Sequence, residues 1–318
     1  MINKTDLWRD GVTIGIPVYN EEQFVEAAIR SAVSQCETLL ISDNGSTDSS
    51  ADICKKLSSE FDNIIFVSHA QNLGASKNFE FLLQSANTPF FMWLGAHDLI
   101  PNDYVRRLRE GLDADTLSVL AYGAARHIDR NGNMVADYEY TQATAFSADE
   151  ASTRLMAAIQ YLDDCSIIHG LFRTSALKNS WLQLHCLGVD HVLLSRTILH
   201  GRFSYSPTTF LVRRDVHLED SAAAQLARIT GQLKDTRTSY LEMQRHQYGL
   251  AVNASQTLGW AGVLYRLRAR FWLVHRFGPF GQSRFSSLLD KFLYSFSVTW
   301  RKFGRLLKRL KPNIRNEN

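Results

Sequence analysis

Only four cysteines occur in the 318 residues: Cys36, Cys54, Cys165 and Cys186. None forms a C-x-x-C pair, and no histidine cluster has zinc spacing. This argues against a disulfide framework or a zinc module and predicts a reduced, intracellular chain. No apolar run approaches the roughly 18 unbroken residues that span a bilayer. Residues 1–11 lack the apolar stretch of a secretory signal. G-x-G-x-x-G after the first apolar run, G-x-x-x-x-G-K-[ST] and G-x-S-x-G are all missing. Their absence argues against a dinucleotide-binding Rossmann enzyme, a P-loop nucleotidase and a hydrolase with a nucleophile elbow. Internal repeats and low-complexity tracts are lacking too. Acidic residues are scarce at the C-terminal end. Residues 260–318 hold 13 Lys+Arg against 2 Asp+Glu, a balance of +11, while residues 1–259 hold 22 against 30, a balance of −8. The net charge of +3 hides this split, which points to a basic tail with a partner of its own.

What is present reads as an ordered globular chain, long enough for one large domain or two modest ones. Val12–Val18 is a short apolar β-rich run, followed by helical spacing from Glu21 to Gln35 through Phe24, Ala28, Ile29 and Ala32. Leu39–Ser42, Asn63–Val67 and Pro89–Leu94 read as further strands. Ser49–Ser59 and Ser76–Ala86 read as the helices between them. Alternating strands and helices predict parallel pairing, right-handed crossovers and a three-layer α/β sheet. Beyond Asp98 the pattern loosens. Leu117–Tyr122 suggests a strand, Arg130-Asn131-Gly132-Asn133 a hairpin turn, and Ser152–Leu162 and Val189–His200 helices. From Ser221 onward the chain reads as helical, interrupted near Gly278-Pro279.

Ligands of such sheets bind at the C-terminal ends of the strands. The polar clusters Tyr19-Asn20-Glu21, Asp43 and His97-Asp98 all follow strand-like runs. Tyr19 offers a ring on which a nucleotide base can stack, and a carboxylate can take the base N–H. An acidic loop can hold a divalent cation bridging to a diphosphate. The residues alone thus reach a nucleotide-binding α/β protein, with metal assistance as an open option.

Four stretches carry a closer likeness: Ile16-Pro17-Val18-Tyr19-Asn20-Glu21-Glu22, Ser42-Asp43-Asn44-Gly45-Ser46-Thr47-Asp48, Asn72-Leu73-Gly74 and Trp93-Leu94-Gly95-Ala96-His97-Asp98. In this order, at strand ends, they resemble the family-2 inverting glycosyltransferases of the GT-A fold. The likeness continues more faintly through Gly170-Leu171-Phe172-Arg173 and Gly188–Leu194, and covers roughly residues 11–215. It implies a GT-A domain over residues 1–220, with a nucleotide-sugar half to about 105 and an acceptor half from about 106, followed by a helical basic region over 221–318. It implies transfer of a sugar, with inversion, from a nucleotide-diphosphate donor, UDP by family frequency, to an acceptor hydroxyl. A glycan or lipid-linked glycan of a bacterial surface polysaccharide, of O-antigen or capsule type, is the acceptor expected by analogy. The matching positions give Pro17, Tyr19, Asn20, Glu21 and Asp43 to the nucleotide, Asp98 to Mg²⁺ or Mn²⁺, and the general base to Asp190. Lys77 can reach the diphosphate from the third helix. The family's acidic motif normally carries two or three aspartates, and here it is Ala96-His97-Asp98. One carboxylate survives, and His97 is left to contact the ribose or to ligate metal. A nucleotide-sugar-binding protein without turnover, or a membrane-associated scaffold with a vestigial site, are the alternatives. His69, His127, His169, His185 and His191 stand alone in the sequence and read as structural or exposed.

The tail has a pattern of its own. Between Lys291 and Lys311, Phe292, Leu293, Phe296, Trp300, Phe303, Leu306, Leu307 and Leu310 fall within an arc of about 140° at ~100° per residue. Arg301, Lys302, Arg305, Lys308 and Arg309 fall opposite. A basic amphipathic helix with aromatics on its apolar face predicts docking of residues 260–311 on an anionic membrane surface, peripheral to the inner face of the cell membrane. Nucleic acid is not an expected partner, because the acidic remainder would oppose a polyanion.

Overall fold

The computed structural model describes residues 8–184, 186–216 and 236–278, together with 221, 223, 224, 226, 227 and 293. Its first half follows the expected alternation. Strands β1 (Val12–Val18), β2 (Thr38–Asp43), β3 (Ile64–Ser68) and β4 (Phe90–Trp93) alternate with helices α1 (Val25–Ala32), α2 (Ser50–Glu60) and α3 (Ala75–Ser85). The four strands pair in parallel in the spatial order β3-β2-β1-β4. α1 begins four residues later than its spacing suggests, because Asn20 to Phe24 form the turn that leaves β1.

The second half holds α4 (Tyr104–Ala114), β5 (Ser118–Ile128), β6 (Met134–Tyr138), α5 (Ala143–Phe146), α6 (Ala151–Tyr161), β7 (Leu171–Arg173), α7 (Thr174–Ser180), α8 (Val189–His200) and β8 (Arg202–Arg214). β5 and β6 form the hairpin expected around Arg130–Asn133. Two strands add to what the sequence suggests. β7 pairs antiparallel with both β4 and β5, and β8 runs parallel to β5 along its length. The result is one eight-stranded mixed sheet.

Strand alternation sorts the core into two layers, since successive side chains point to opposite faces. Phe90 and Met92 of β4 join Val25 and Ile29 of α1 and Leu108 of α4 on one face. Phe91 and Trp93 join Leu82 of α3, Leu177 of α7 and Leu194 of α8 on the other. A third cluster ties helices α9 (Thr236–Ala254) and α10 (Ala261–Phe277) to α6 through Leu155, Ile159, Ala251, Leu273 and Val274. Full burial of a Leu or Val side chain is worth about 1.5–3 kcal/mol, so α10 is held by packing. The amphipathic pattern of residues 291–311 lies outside the described residues, Leu293 excepted. Among the described residues no helix is long and apolar enough to cross a membrane.

Candidate functional site

Parallel order places the ends of β1, β2 and β4 side by side, and the loops that leave them form one rim. The first two loops interlock. Asn20 takes a left-handed backbone (φ 55°), a conformation that Asn tolerates better than most residues. Its N–H donates to Ser46 Oγ at 3.0 Å, and its side-chain oxygen accepts from the Thr47 N–H at 2.9 Å. The Glu21 N–H donates to Ser50 Oγ at 2.8 Å, and Glu22 and Asp48 exchange bonds with the facing backbone. Asn20 therefore spends its side chain on holding the loop of Asp43 in place. Gly45 (φ +72°) is required in that loop, because a Cβ there would sit 2.8 Å from the Gln71 carbonyl carbon. Asn72-Leu73-Gly74 supports the same loop from beneath: Asn44 donates to Asn72 Oδ1 at 2.9 Å and accepts from the Leu73 N–H at 2.8 Å.

On this frame Asp43 is buried, accepting from Ser68 Oγ at 3.1 Å and from the Ser46 N–H at 3.3 Å. Tyr19, 42% exposed, stands open at the end of β1. Pro17 lies within β1 and pairs in register with Ser42. Lys77 is exposed in the first turn of α3. The Ser42 hydroxyl ties β2 to α3 by donating to the buried Asn78 at 2.5 Å, and it accepts from His69 at 3.0 Å.

The β4 loop carries the centre of charge. His97 Nδ1 donates to Glu21 Oε1 at 2.8 Å, which ties these two candidates together. Burial opposes protonation of His97, but the Glu21 hydrogen bond and the Asp98 charge outweigh it and raise its pKa. Asp98 is 2% exposed. Its Oδ1 accepts the Arg214 backbone N–H at 2.9 Å. Its Oδ2 folds back over Gly95, where any Cβ would collide with it. β8 is thus fastened to this loop, since Leu99 and Val212 also exchange backbone bonds at 2.9 Å. The Arg214 guanidinium donates to the carbonyls of His97, Asp129 and Arg130 and lies over the Phe24 ring.

Several histidines that look isolated in the sequence have charged neighbours here. His169 donates Nδ1–H to the Trp93 carbonyl at 3.1 Å and turns Nε2 to Asp98 Oδ2 at 3.8 Å. Burial pushes its pKa down, against the pull of Asp98. His127 lies between Asp215 (3.0 Å) and Asp164 (3.5 Å), and its pKa is raised by the Asp164 interaction first. Asp164 in turn accepts from Arg213 at 2.9 Å. Although burial would raise its pKa, His127 and Arg213 hold the carboxyl down at about 2. Arg213 feels Asp164, Asp98, Asp215 and Asp190 together, and these carboxylates raise its pKa against burial. This half-exposed guanidinium is paired with Asp164 and Asp215 and lies within the electrostatic field of Asp98 and Asp190. Asp190 sits in the first turn of α8, behind the left-handed Gly188, and with Cys165 and His191 it offers three ligand atoms within 4.8 Å of one another. His185 lies outside the described residues.

The donor set around Asp98 fits a divalent cation. One carboxylate oxygen has no room for a protein donor on the Gly95 side, and a neutral imidazole nitrogen faces it beyond hydrogen-bonding distance. Imidazole suits transition metals, and one or two carboxylates with substrate phosphates suffice for Mg²⁺. The sequence patterns reach Asp98 and Asp190 but miss His169, Arg213, Arg214 and Asp164. A pair of arginines ending a polar segment is the only local signal these leave.

Comparison with known proteins places the geometry. The model of Glycosyl transferase family 2 matches residues 13–218. Glycosyltransferase GlyA of Streptococcus pneumoniae serotype 4 is 32% identical over 103 residues, 31% of this chain and 14% of that protein. An uncharacterized glycosyltransferase of Rickettsia bellii is 26% identical over 164 residues, 50% of this chain and 22% of that protein. The chain thus spans less than a quarter of the length of these two relatives. Among solved structures, S. aureus TarS 1-349 in complex with UDP-GlcNAc superposes with a TM-score of 0.56 at 14% identity, over 92% of each chain. The mannosyltransferase PcManGT from Pyrobaculum calidifontis, in complex with GDP-Man and Mn²⁺, gives 0.52 at 13% identity, over 96% of this chain and 83% of that one. At such identities the likeness is one of fold, and the fold is the GT-A arrangement. With the family's model running from β1 past the end of β8, the chain belongs to glycosyl transferase family 2.

Proposed function

We propose that the protein transfers one sugar from a nucleotide-diphosphate donor, UDP by default, to an acceptor hydroxyl with inversion. The observation that carries this reading is the convergence of Tyr19, Asp43 and Asp98 at one rim of strand ends, to which the Asp98 bond from the Arg214 N–H fastens the end of β8 with Arg213. Tyr19 supplies a face for the base, and Asp43, held by Ser68 and the Ser46 N–H, supplies an acceptor for its N–H. Lys77 and Arg213 bring positive charge toward the diphosphate. Asp98 and a neighbouring histidine would hold Mg²⁺ or Mn²⁺, whose charge, when bound, offsets that of the leaving nucleotide. Asp190 takes the proton of the acceptor hydroxyl as the new C1–O bond forms. Glu21, Asn20 and His97 keep the rim in shape.

The acceptor we propose is a membrane-borne one, a lipid-linked glycan of a surface polysaccharide. α10 carries Arg266, Arg268, Arg270 and Arg276 and no acid. Its start exposes Trp260 (91%), Leu264 (70%) and Leu267 (43%). An open groove of about 490 Å³ runs between α6 and α10 beside them, lined by Met156, Tyr161, Leu264, Tyr265 and Arg268 among others. Apolar side chains among arginines suit the surface of an anionic bilayer, and the basic pattern of residues 291–311 extends the same chemistry. The reading is tested by thermal denaturation with UDP-, GDP- and dTDP-sugars, with and without Mn²⁺. A ligand at 100 times its Kd adds about 2.7 kcal/mol, so one donor class should raise Tm by several degrees. No stabilisation by any donor would leave a scaffold with a vestigial site.

A further inference from the structure

His169 precedes β7, and its place in the sequence gives it no partner. In the fold, the antiparallel pairing of β7 with β4 brings it against the carboxylate of the β4 loop. A carbonyl oxygen only accepts, so the 3.1 Å bond to the Trp93 carbonyl fixes the proton on Nδ1. Nε2 then presents a lone pair to Asp98 Oδ2 across 3.8 Å. Two lone pairs facing each other in a buried setting repel unless something positive lies between them. Metal–ligand bonds of about 2.1 Å put two neighbouring ligands roughly 3.0–3.6 Å apart for angles between 90° and 120°. The observed gap is therefore within a few tenths of an ångström of a shared ion. A histidine ligand with its other nitrogen donating to a backbone carbonyl is the usual way a protein orients imidazole toward a metal. His97 is placed differently. Its Nδ1 is bound to Glu21, and its Nε2 lies 4.0 Å from Asp98 Oδ1, the oxygen already taken by the Arg214 N–H.

We propose that His169 is the second protein ligand of the divalent cation, in place of the carboxylate that the motif Ala96-His97-Asp98 lacks. This rests on reading the strand rim as a nucleotide-sugar site. It assigns the ion an O,N donor pair from two elements distant in sequence. An imidazole ligand favours Mn²⁺ over Mg²⁺, so Mn²⁺ should bind more tightly in the presence of nucleotide.

Pulsed electron paramagnetic resonance of the full chain with Mn²⁺ and UDP, GDP or dTDP in turn tests this. The expected spectrum shows phosphorus coupling from the nucleotide together with nitrogen coupling from a bound imidazole. Labelling with ¹⁵N-histidine should convert that nitrogen signal, a check that needs no variant. His97→Ala should keep the nitrogen signal and His169→Ala should lose it, with Mn²⁺ affinity falling at least about tenfold. Phosphorus coupling without histidine nitrogen would overturn the assignment while leaving the nucleotide site intact. Loss of the nitrogen signal in His97→Ala instead would overturn it as well. Neither coupling with any nucleotide would sink the rim reading and this ligand with it.

Discussion

Asp190 stands in the first turn of α8 with a short carboxylate side chain, beside Cys165 and His191. If it is the general base proposed above, Asn should replace it without loss of donor binding. Asp190→Asn is expected to lower kcat by about 10²–10⁴-fold, the contribution of a positioned base, while donor-induced stabilisation persists. A variant with near wild-type kcat would move the base elsewhere. His127 supplies a second test at this scale. Its folded-state pKa is raised by Asp164 and Asp215, so its contribution is full below the unfolded value of about 6.5 and fades as pH rises through the higher folded value. The Tm margin of wild type over His127→Asn should therefore shrink between pH 6 and 8.5, and a margin that grows with pH would contradict the pairing. Asp98, Asp190 and Asp43 were legible because each sits in a local run with a pattern. His169 and His127 were not, since a lone histidine says nothing of the strand that will lie beside it.

At the scale of elements, the first four strands were legible because each is a short apolar run closed by a polar turn and followed by helical spacing. β7 is three residues long, too short for any periodicity. β8 carries Ser204, Ser206, Pro207 and Thr208 in its middle, and becomes a strand by pairing with β5, more than eighty residues earlier. That nonlocal pairing delivers Arg213 and Arg214 to the site. The interlocked loops of β1 and β2 make a separate prediction. Gly45→Ala combines left-handed strain with a 2.8 Å clash and should cost about 1–3 kcal/mol in denaturant unfolding, weakening donor binding with it. Gly132→Ala in the open hairpin, with nothing within 4 Å, should cost only the backbone strain of about 1–2 kcal/mol and leave the donor site alone. Equal effects on donor binding would mean that the loop clamp does not shape the site.

At the scale of the molecule, an acidic body carries a basic C-terminal end, and α10 joins the two. Because Leu273 and Val274 are buried against α6, removing the chain from Trp260 onward should unfold the helical layer. Removing residues 291–318, or replacing Trp260 and Leu264 with Ser, should leave folding and nucleotide binding intact. Each change should weaken sedimentation with anionic vesicles, and binding should fall as salt rises toward 0.5 M, since exposed charges are screened beyond about 10 Å at 0.1 M. Binding that is indifferent to salt and lipid charge would leave the tail as packing alone.

On the reading proposed, the strand rim turns over a nucleotide sugar with Asp98 at the diphosphate and Asp190 at the acceptor hydroxyl. Its most direct measurement is release of nucleoside diphosphate from the stabilising donor in the presence of Mn²⁺ and acceptor-bearing membranes, for wild type, Asp98→Asn and Asp190→Asn. Wild type is expected to show Mn²⁺-dependent release, with both variants reduced by about 10²-fold or more. Release that is unchanged in Asp98→Asn and full in excess chelator would contradict it.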